Sequence, residues 1–136
     1  METVLIFVSH GTLAEGVRSA AMMMLGEDAD VRCWCLSEGK GSTAFRQEVR
    51  SGVRDLKDRR VLVLCDILGG SPVSMTLLEL EEAGAHVAGV FGGLNLAMAL
   101  TAVMNRNHED AGERIIAEGK ESIAGMMNVI EESEEI

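Results

Sequence analysis

Two short stretches of this 136-residue chain carry the side chains best suited to chemistry: Ser9-His10-Gly11-Thr12 and Asp66-Ile67-Leu68-Gly69-Gly70-Ser71-Pro72. Each follows an apolar run, Val4 to Val8 in one case and Val61 to Cys65 in the other, and packing alone gives no reason for a histidine or an aspartate there. A carboxylate beside one nitrogen of an imidazole fixes the tautomer and leaves the other nitrogen unprotonated near neutral pH, as a nucleophile or base. Asp66 can supply that carboxylate to His10. Gly69 and Gly70 let backbone approach a ligand closely, and a helix starting at Pro72, with Ser71 as its N-cap, offers free amides and a hydroxyl to an anion. A phosphoryl group fits such a cradle. The plainer alternative is that His10 bonds its own turn and Asp66 caps a helix.

These loops need elements that bring them together. Residues 4–8, 31–36, 61–65 and 86–91 are strand-like runs, and helical spacing recurs between them: Leu13, Val17, Ala20, Ala21 and Met24; Phe45, Val49, Val53 and Leu56; and Leu77, Leu78 and Leu80 within 72–83. The first and third strands are apolar without alternation, the pattern of a sheet covered on both faces. The class is therefore α/β: a doubly wound, mostly parallel sheet of four strands in the order 2-1-3-4 with helices on both faces. Ligands of such sheets bind beyond the carboxyl ends of the strands where the strand order reverses, between strands 1 and 3, which predicts that His10 and Asp66 are neighbours. Thr12 followed by Glu15 reads as a capping box, and Gly26 and Gly84 read as helix ends.

Downstream, Leu94 to Met104 is almost wholly apolar. A helix there must be buried nearly all round, either in a dimer interface or as a cap on the core. Residues 111–130 carry Ile115, Ile116, Ile123, Met126, Met127 and Ile130 as a stripe interrupted by Gly119, and the part after Gly119 reads either as helix or as an edge strand. Residues 1–130 form a single domain, and 131–136 an acidic tail.

Composition narrows the partners. Hydrophobic residues make up 47% and charged residues 25%, values of an ordinary globular domain. The formal net charge of −10 repels phosphate backbones and anionic lipid, so neither nucleic acid nor a membrane surface is an expected partner. The N-terminus has the pattern of no signal peptide, and no apolar run reaches the roughly 20 residues of a membrane helix. The expectation is a soluble, cytoplasmic protein without membrane insertion. Cys33, Cys35 and Cys65 are expected as free thiols in packed positions, and C-x-C without further ligands is a poor metal signature, so no metal is expected.

Other motifs compete. Gly39-Lys40-Gly41-Ser42-Thr43-Ala44 fits the dinucleotide pattern G-x-G-x-x-A, but it follows the second strand and not the first; the alternative is flexible glycine before an N-cap at Ser42 or Thr43. A receiver domain would place its phosphorylated aspartate where Asp66 stands, yet it needs an acidic pair after strand 1, where this chain has Ser9-His10. His86 and His108 sit in positions expected to be structural or solvated.

Ser9-His10-Gly11 taken with Asp66-x-x-Gly69-Gly70-Ser71-Pro72 resembles the enzyme IIA component of the mannose class of the bacterial phosphoenolpyruvate-dependent sugar phosphotransferase system (PTS). The resemblance spans about residues 3–128 and extends to the Gly-Glu stretch near position 26, to Gly93 to Met98, and to Gly119-Lys120-Glu121. It implies a phosphocarrier: His10 takes a phosphoryl group from the phosphocarrier protein HPr and passes it to a IIB component for sugar uptake. Asp66 would orient His10 through Nδ1–H and leave Nε2 to attack, with Gly69, Gly70 and Ser71 cradling the phosphoryl oxygens. No cofactor is implied. It also implies a homodimer with a strand exchanged near the C-terminus, and partner docking at Leu68. The chain departs from the family pattern at Ala97 and Ser74, where proline and asparagine are common, and at Leu68, where an aromatic residue often stands. A nucleotide-binding module, or a sugar-status signalling module of the same fold, remains as the alternative.

Overall fold

The computed structural model describes residues 1–126. Strands and helices alternate as β1 (Val4–His10), α1 (Leu13–Leu25), β2 (Val31–Leu36), α2 (Ser42–Val53), β3 (Arg60–Cys65), α3 (Ser71–Glu82), β4 (His86–Phe91), α4 (Leu96–Asn105) and α5 (Ala111–Glu121). All four strands are parallel, in the order β2-β1-β3-β4, as the periodicity predicts.

The unbroken apolar run of β1 is explained by its central place, where both faces are covered. Leu5 and Phe7, with Leu62 and Leu64 of β3, pack under α1, α4 and α5 beside Ala21, Met98, Ala102 and Ile115. Val4, Ile6 and Val8, with Val61, Val63 and Cys65, face the other way against Phe45, Val49, Val53, Val73 and Leu80 of α2 and α3. Each large side chain removed from water in these layers contributes about 1.5–3 kcal/mol, so the central strands are the best-anchored part of the molecule. Functional loops on their ends inherit that rigidity. The register sets Val8 beside Cys65, which carries Asp66 to the side of His10.

Three helix starts differ from the sequence expectation, each by local geometry. Thr12 precedes α1, but its backbone (φ −103, ψ 13) is not extended and its hydroxyl makes no capping bond. Ser9 takes that task, its buried Oγ accepting the Ala14 N–H at 2.8 Å. At α3 the N-cap is Gly70, with Ser71 already in the helix and Pro72 after it. At α2 the N-cap is Gly41, not Ser42 or Thr43.

The apolar α4 is not buried all round. Met98, Ala99, Thr101 and Ala102 pack inward against α1 and α5, while Leu96 and Met104 are exposed on the single chain. The helix after residue 111 ends at Glu121 and no strand forms over 123–126. The expected exchanged strand, insofar as it falls in 127–136, and the acidic tail lie outside the described residues. No described helix is long and apolar enough to cross a membrane.

Candidate active site

His10 is the last residue of β1, and the chain must turn at once to enter α1. Gly11 makes that turn with φ +59, a left-handed conformation that glycine adopts without strain, and its N–H reaches across to the Leu36 carbonyl at 3.0 Å. The turn leaves the His10 side chain on the surface, 48% exposed.

Asp66 follows β3 and is far better covered, 15% exposed. One carboxylate oxygen, Oδ2, accepts twice from His10: from the backbone N–H at 3.0 Å and from ring Nδ1 at 2.9 Å. Oδ1 accepts the Ile67 N–H at 2.8 Å. Burial works to raise the carboxyl pKa, but these bonds to the charged form outweigh it and hold Asp66 below its ordinary value. An ionised carboxylate only accepts hydrogen bonds, so Nδ1 must carry the proton, and Nε2 of the neutral ring then presents its lone pair to solvent. The Asp66 backbone is fixed from the other side, since its carbonyl accepts the Gly93 N–H at 2.9 Å and the Cys65 carbonyl accepts the Leu94 N–H at 3.0 Å.

The other nearby nucleophile is disarmed. Cys65 is buried, and burial reinforced by the Asp66 charge pushes its thiol up to about 11, so it stays protonated at neutral pH.

Beneath the imidazole lies the start of α3. Gly70 has no side chain to cap the helix, so no side chain satisfies the first-turn amides of Ser71 and Val73. Pro72 contributes no N–H. Ser71 is exposed in this first turn, and Gly69 and Gly70 lead into it. The positive end of the helix dipole therefore lies beside Nε2, where negative charge on a transferred group is stabilised. Leu68 and Ile67 are exposed beside the pair, and Leu68 packs over Gly92 so closely that a Cβ at Gly92 would stand 2.6 Å from its Cγ. Leu13, in the first turn of α1, adds a third exposed apolar group.

Sequence reasoning brought His10, Asp66, Leu68, Gly69, Gly70 and Ser71 to one place, and the structure does so too. It missed Ser9, whose capping bond spans five residues and has no short motif, and Gly92, whose role shows only through Leu68. The motif at Gly39 to Ala44 stands at the end of edge strand β2. Lys40 donates to the Cys35 carbonyl at 3.1 Å and pairs with the Glu48 carboxylate at 2.6 Å, so its ammonium is already engaged. His86 and His108 are exposed. Cavities of about 940 Å³ between α1 and β2 and about 850 Å³ between β4 and α5 do not include His10 or Asp66. Among the described residues no three His, Cys, Asp or Glu side chains gather as a metal site.

A histidine displayed on an open surface, at the switch point of a doubly wound sheet, is reachable by a large partner as well as by a small molecule. Over residues 4–118 the chain matches the family described as "PTS system fructose IIA component", and it belongs to that fructose/mannose-class IIA family of the sugar phosphotransferase system. It is similar to the phosphotransferase component EIIA of Streptococcus agalactiae, with 28% identity, a TM-score of 0.76, and 90% of this chain and 96% of that one covered. It is also similar to the mannose/sorbose-specific IIA subunit of Enterococcus faecalis, at 25% identity and TM-score 0.74, covering 93% and 96%. A sigma-54 interaction domain protein of Enterococcus faecalis shares the fold alone, at 18% identity and TM-score 0.72, covering 90% of this chain and 93% of that one.

Proposed function

We propose that the chain is a phosphohistidine carrier in which His10 Nε2 accepts a phosphoryl group from HPr and donates it to a IIB component. The observation that carries this reading is the 2.9 Å contact of Nδ1 with a charged Asp66, which in the neutral ring keeps the proton on Nδ1 and leaves the lone pair on Nε2 of an exposed side chain. In the forward step the Nε2 lone pair attacks phosphorus, the N–P bond of the donor's phosphohistidine breaks, and its electron pair returns to the donor ring. The His10 ring gains positive charge as the N–P bond forms, and Asp66 stabilises it through Nδ1–H. Gly69, Gly70 and Ser71, with the open amides of α3, receive the phosphoryl oxygens. The second transfer is the same reaction run towards IIB. No metal or cofactor is required by this chemistry.

The exposed Leu13, Ile67 and Leu68 around His10 fit a docking surface for the two partner proteins. In this reading the carrier touches proteins and no sugar, so the sugar is set by the IIB and membrane components. A homodimer is part of the proposal. It is supported by family membership and by the edge of β4, which among the described residues has no strand beside it and borders a cavity of about 850 Å³ walled by Leu62, Val90, Phe91 and Ile116.

Purified protein is incubated with phosphoenolpyruvate, enzyme I and HPr, and its intact mass is read before and after mild acid, with His10→Ala alongside. A gain of about 80 Da that is acid-labile, base-stable and absent from the variant is the expected result. A gain that persists in His10→Ala and is lost in base would place the phosphoryl group on Asp66 and overturn the reading. Discharge on adding a IIB protein separates a transport carrier from a signalling module of the same fold.

A further inference from the structure

The two glycines after the Asp66 loop look interchangeable in sequence, but their surroundings differ. A Cβ built on Gly69 meets nothing within 4 Å. A Cβ on Gly70 would stand 2.8 Å from Cε1 of His10, 3.6 Å from Nε2 and 3.3 Å from the Ile67 carbonyl oxygen. The backbone does not explain the choice of glycine, because φ −81 and ψ 160 are extended values open to any residue. Nor does helix capping, because serine, threonine, aspartate and asparagine are the preferred residues at an N-cap and glycine forgoes the oxygen they provide. What remains is the imidazole itself. Its Cε1–Nε2 edge lies directly on the Gly70 backbone, while its Nδ1 edge is held by Asp66.

We propose that Gly70 is a positioning residue for phosphoryl transfer at His10: its bare Cα is the seat that keeps Nδ1 on Asp66 and Nε2 over the open N-terminus of α3. A side chain at this position displaces Cε1, and the ring is fixed at one end by its own backbone. Displacement therefore rotates Nδ1 away from Oδ2, and the hydrogen bond that selects the Nδ1–H tautomer is lost. The lone pair on Nε2 is then no longer guaranteed, and the nucleophile no longer points at the helix start. The kinetic consequence rests on the phosphocarrier reading; the structural one does not.

Gly70→Ala and Gly70→Ser test this as a pair. Both add the Cβ, but serine also supplies the capping oxygen that α3 lacks. If the defect is in the helix start, serine restores function; if it is in the seat, serine is as damaging as alanine. Nitrogen-15 NMR of the His10 ring in the full-length protein reads the tautomer directly, and urea unfolding checks that each variant is folded. The expected result is loss of the pure Nδ1–H signature in both variants. The maximal rate of phosphoryl acceptance from HPr should fall by about 10²-fold with little change in KM for HPr, the loss that misplacement of a reacting group by about 1 Å produces. A wild-type tautomer pattern in either folded variant overturns the proposal, as does recovery of the rate in Gly70→Ser. Should the wild-type protein accept no phosphoryl group at all, the carrier reading falls, and the NMR comparison still decides whether Gly70 seats the ring.

Discussion

The two ends of the one parallel sheet are built on opposite terms. At the end where the strands begin, charged groups are satisfied by one another. Arg106, 7% exposed, donates to the Asp28 carboxylate and to the Thr3 carbonyl, while Arg60 donates to Thr3 Oγ1 at 2.7 Å and to the Arg106 carbonyl at 2.6 Å. Arg32 forks onto both oxygens of Asp55 at 2.7 and 3.0 Å and reaches the Gly52 carbonyl at 2.8 Å. At the carboxyl ends the central pair is His10–Asp66, with one ring nitrogen unengaged, a helix start without a capping side chain, and apolar side chains facing water, while a second pair, Lys40–Glu48, lies apart at the edge strand β2. The first arrangement ties loops to the core. The second leaves donors, a lone pair and apolar surface free for something that arrives. The difference teaches that one frame holds both kinds of region: bonds left unmade at the candidate site, and bonds made at the far side of the same sheet.

The comparison breaks if a substitution at one end has the effect assigned to the other. The largest stability effect is expected from Arg106→Ala, which strips a nearly buried cation from Asp28 and from the Thr3 carbonyl; removing one partner of such a pair costs about 3 kcal/mol. Urea unfolding reads that loss, while phosphoryl acceptance per folded molecule should stay at the wild-type level. An equal fall in the transfer rate would show that the two ends are coupled.

Asp66→Asn should do the reverse. The amide oxygen can still accept from Nδ1–H, so ring orientation is largely kept, but the charge that stabilises the ring in the transition state is gone. Transfer should slow by about 10²-fold, which is about 2.7 kcal/mol of barrier, with the urea midpoint little changed. Rapid-quench measurement of phosphoryl acceptance checks it. A large loss of stability with normal transfer would mean that Asp66 is a structural residue and that the contrast between the ends is misdrawn.

How much of this contrast is visible in sequence follows from its physics. The sheet order and the nearness of His10 to Asp66 were legible because apolar runs of period one and helical stripes of period 3.6 are local signals, and the switch-point rule converts them into a place. The candidate pair was legible because His10 and Asp66 have no packing reason to end apolar strands, and the structure places the two in hydrogen-bond contact. The ion pairs at the opposite end were not, because Asp28 and Arg106 are separated by 78 residues and arginines and aspartates are common on any surface. The close approach at Gly70 was half legible: a Gly-Gly pair announces close approach, but which glycine lies under the ring depends on a contact 60 residues away in sequence. Which faces of α4 pack within the single chain was not legible, because composition does not say which side of a helix has a neighbour.

Acid titration sharpens the comparison, because buried carboxylates paired with arginine lose their partners' help on protonation. Glu79, 1% exposed, lies between α2 and α3, accepting from Arg50 at 3.0 Å and from Arg46 at 3.1 Å. The hydrogen bond from Arg50 is the main cause of its lowered pKa, burial opposes it, and Arg46 adds to it. A carboxyl lowered on folding contributes stability that is fully present above its unfolded pKa of about 4.3 and is lost as pH falls through the folded value. Stability of the wild-type protein should therefore decline below about pH 4.3, and Glu79→Gln should be less stable at pH 7 with a shallower decline on acidification. A Glu79→Gln profile parallel to wild type across that window would remove Glu79 from the acid response. Phosphoryl transfer at pH 7, measured per folded molecule, should not notice the change.

Ser9 supplies the smallest effect and the finest test, because it belongs to the carboxyl end and yet behaves like a residue of the other. It is fully buried, stands next to His10, and uses its hydroxyl to cap α1 through Ala14. Ser9→Ala removes one capping bond, for which about 1 kcal/mol of stability is expected. If the cap only anchors the helix, the transfer rate at a temperature where the variant is fully folded equals that of wild type. The Gly11 turn joins the capped helix to the His10 backbone, however, and the same His10 N–H that bonds Asp66 Oδ2 lies one residue from the lost hydroxyl. A fall in rate without further loss of stability, together with a changed His10 ring tautomer, would show that the rigid frame extends into the reactive end as far as Ser9. An unchanged ring with a lower urea midpoint would draw the boundary between frame and site at the peptide bond joining Ser9 to His10.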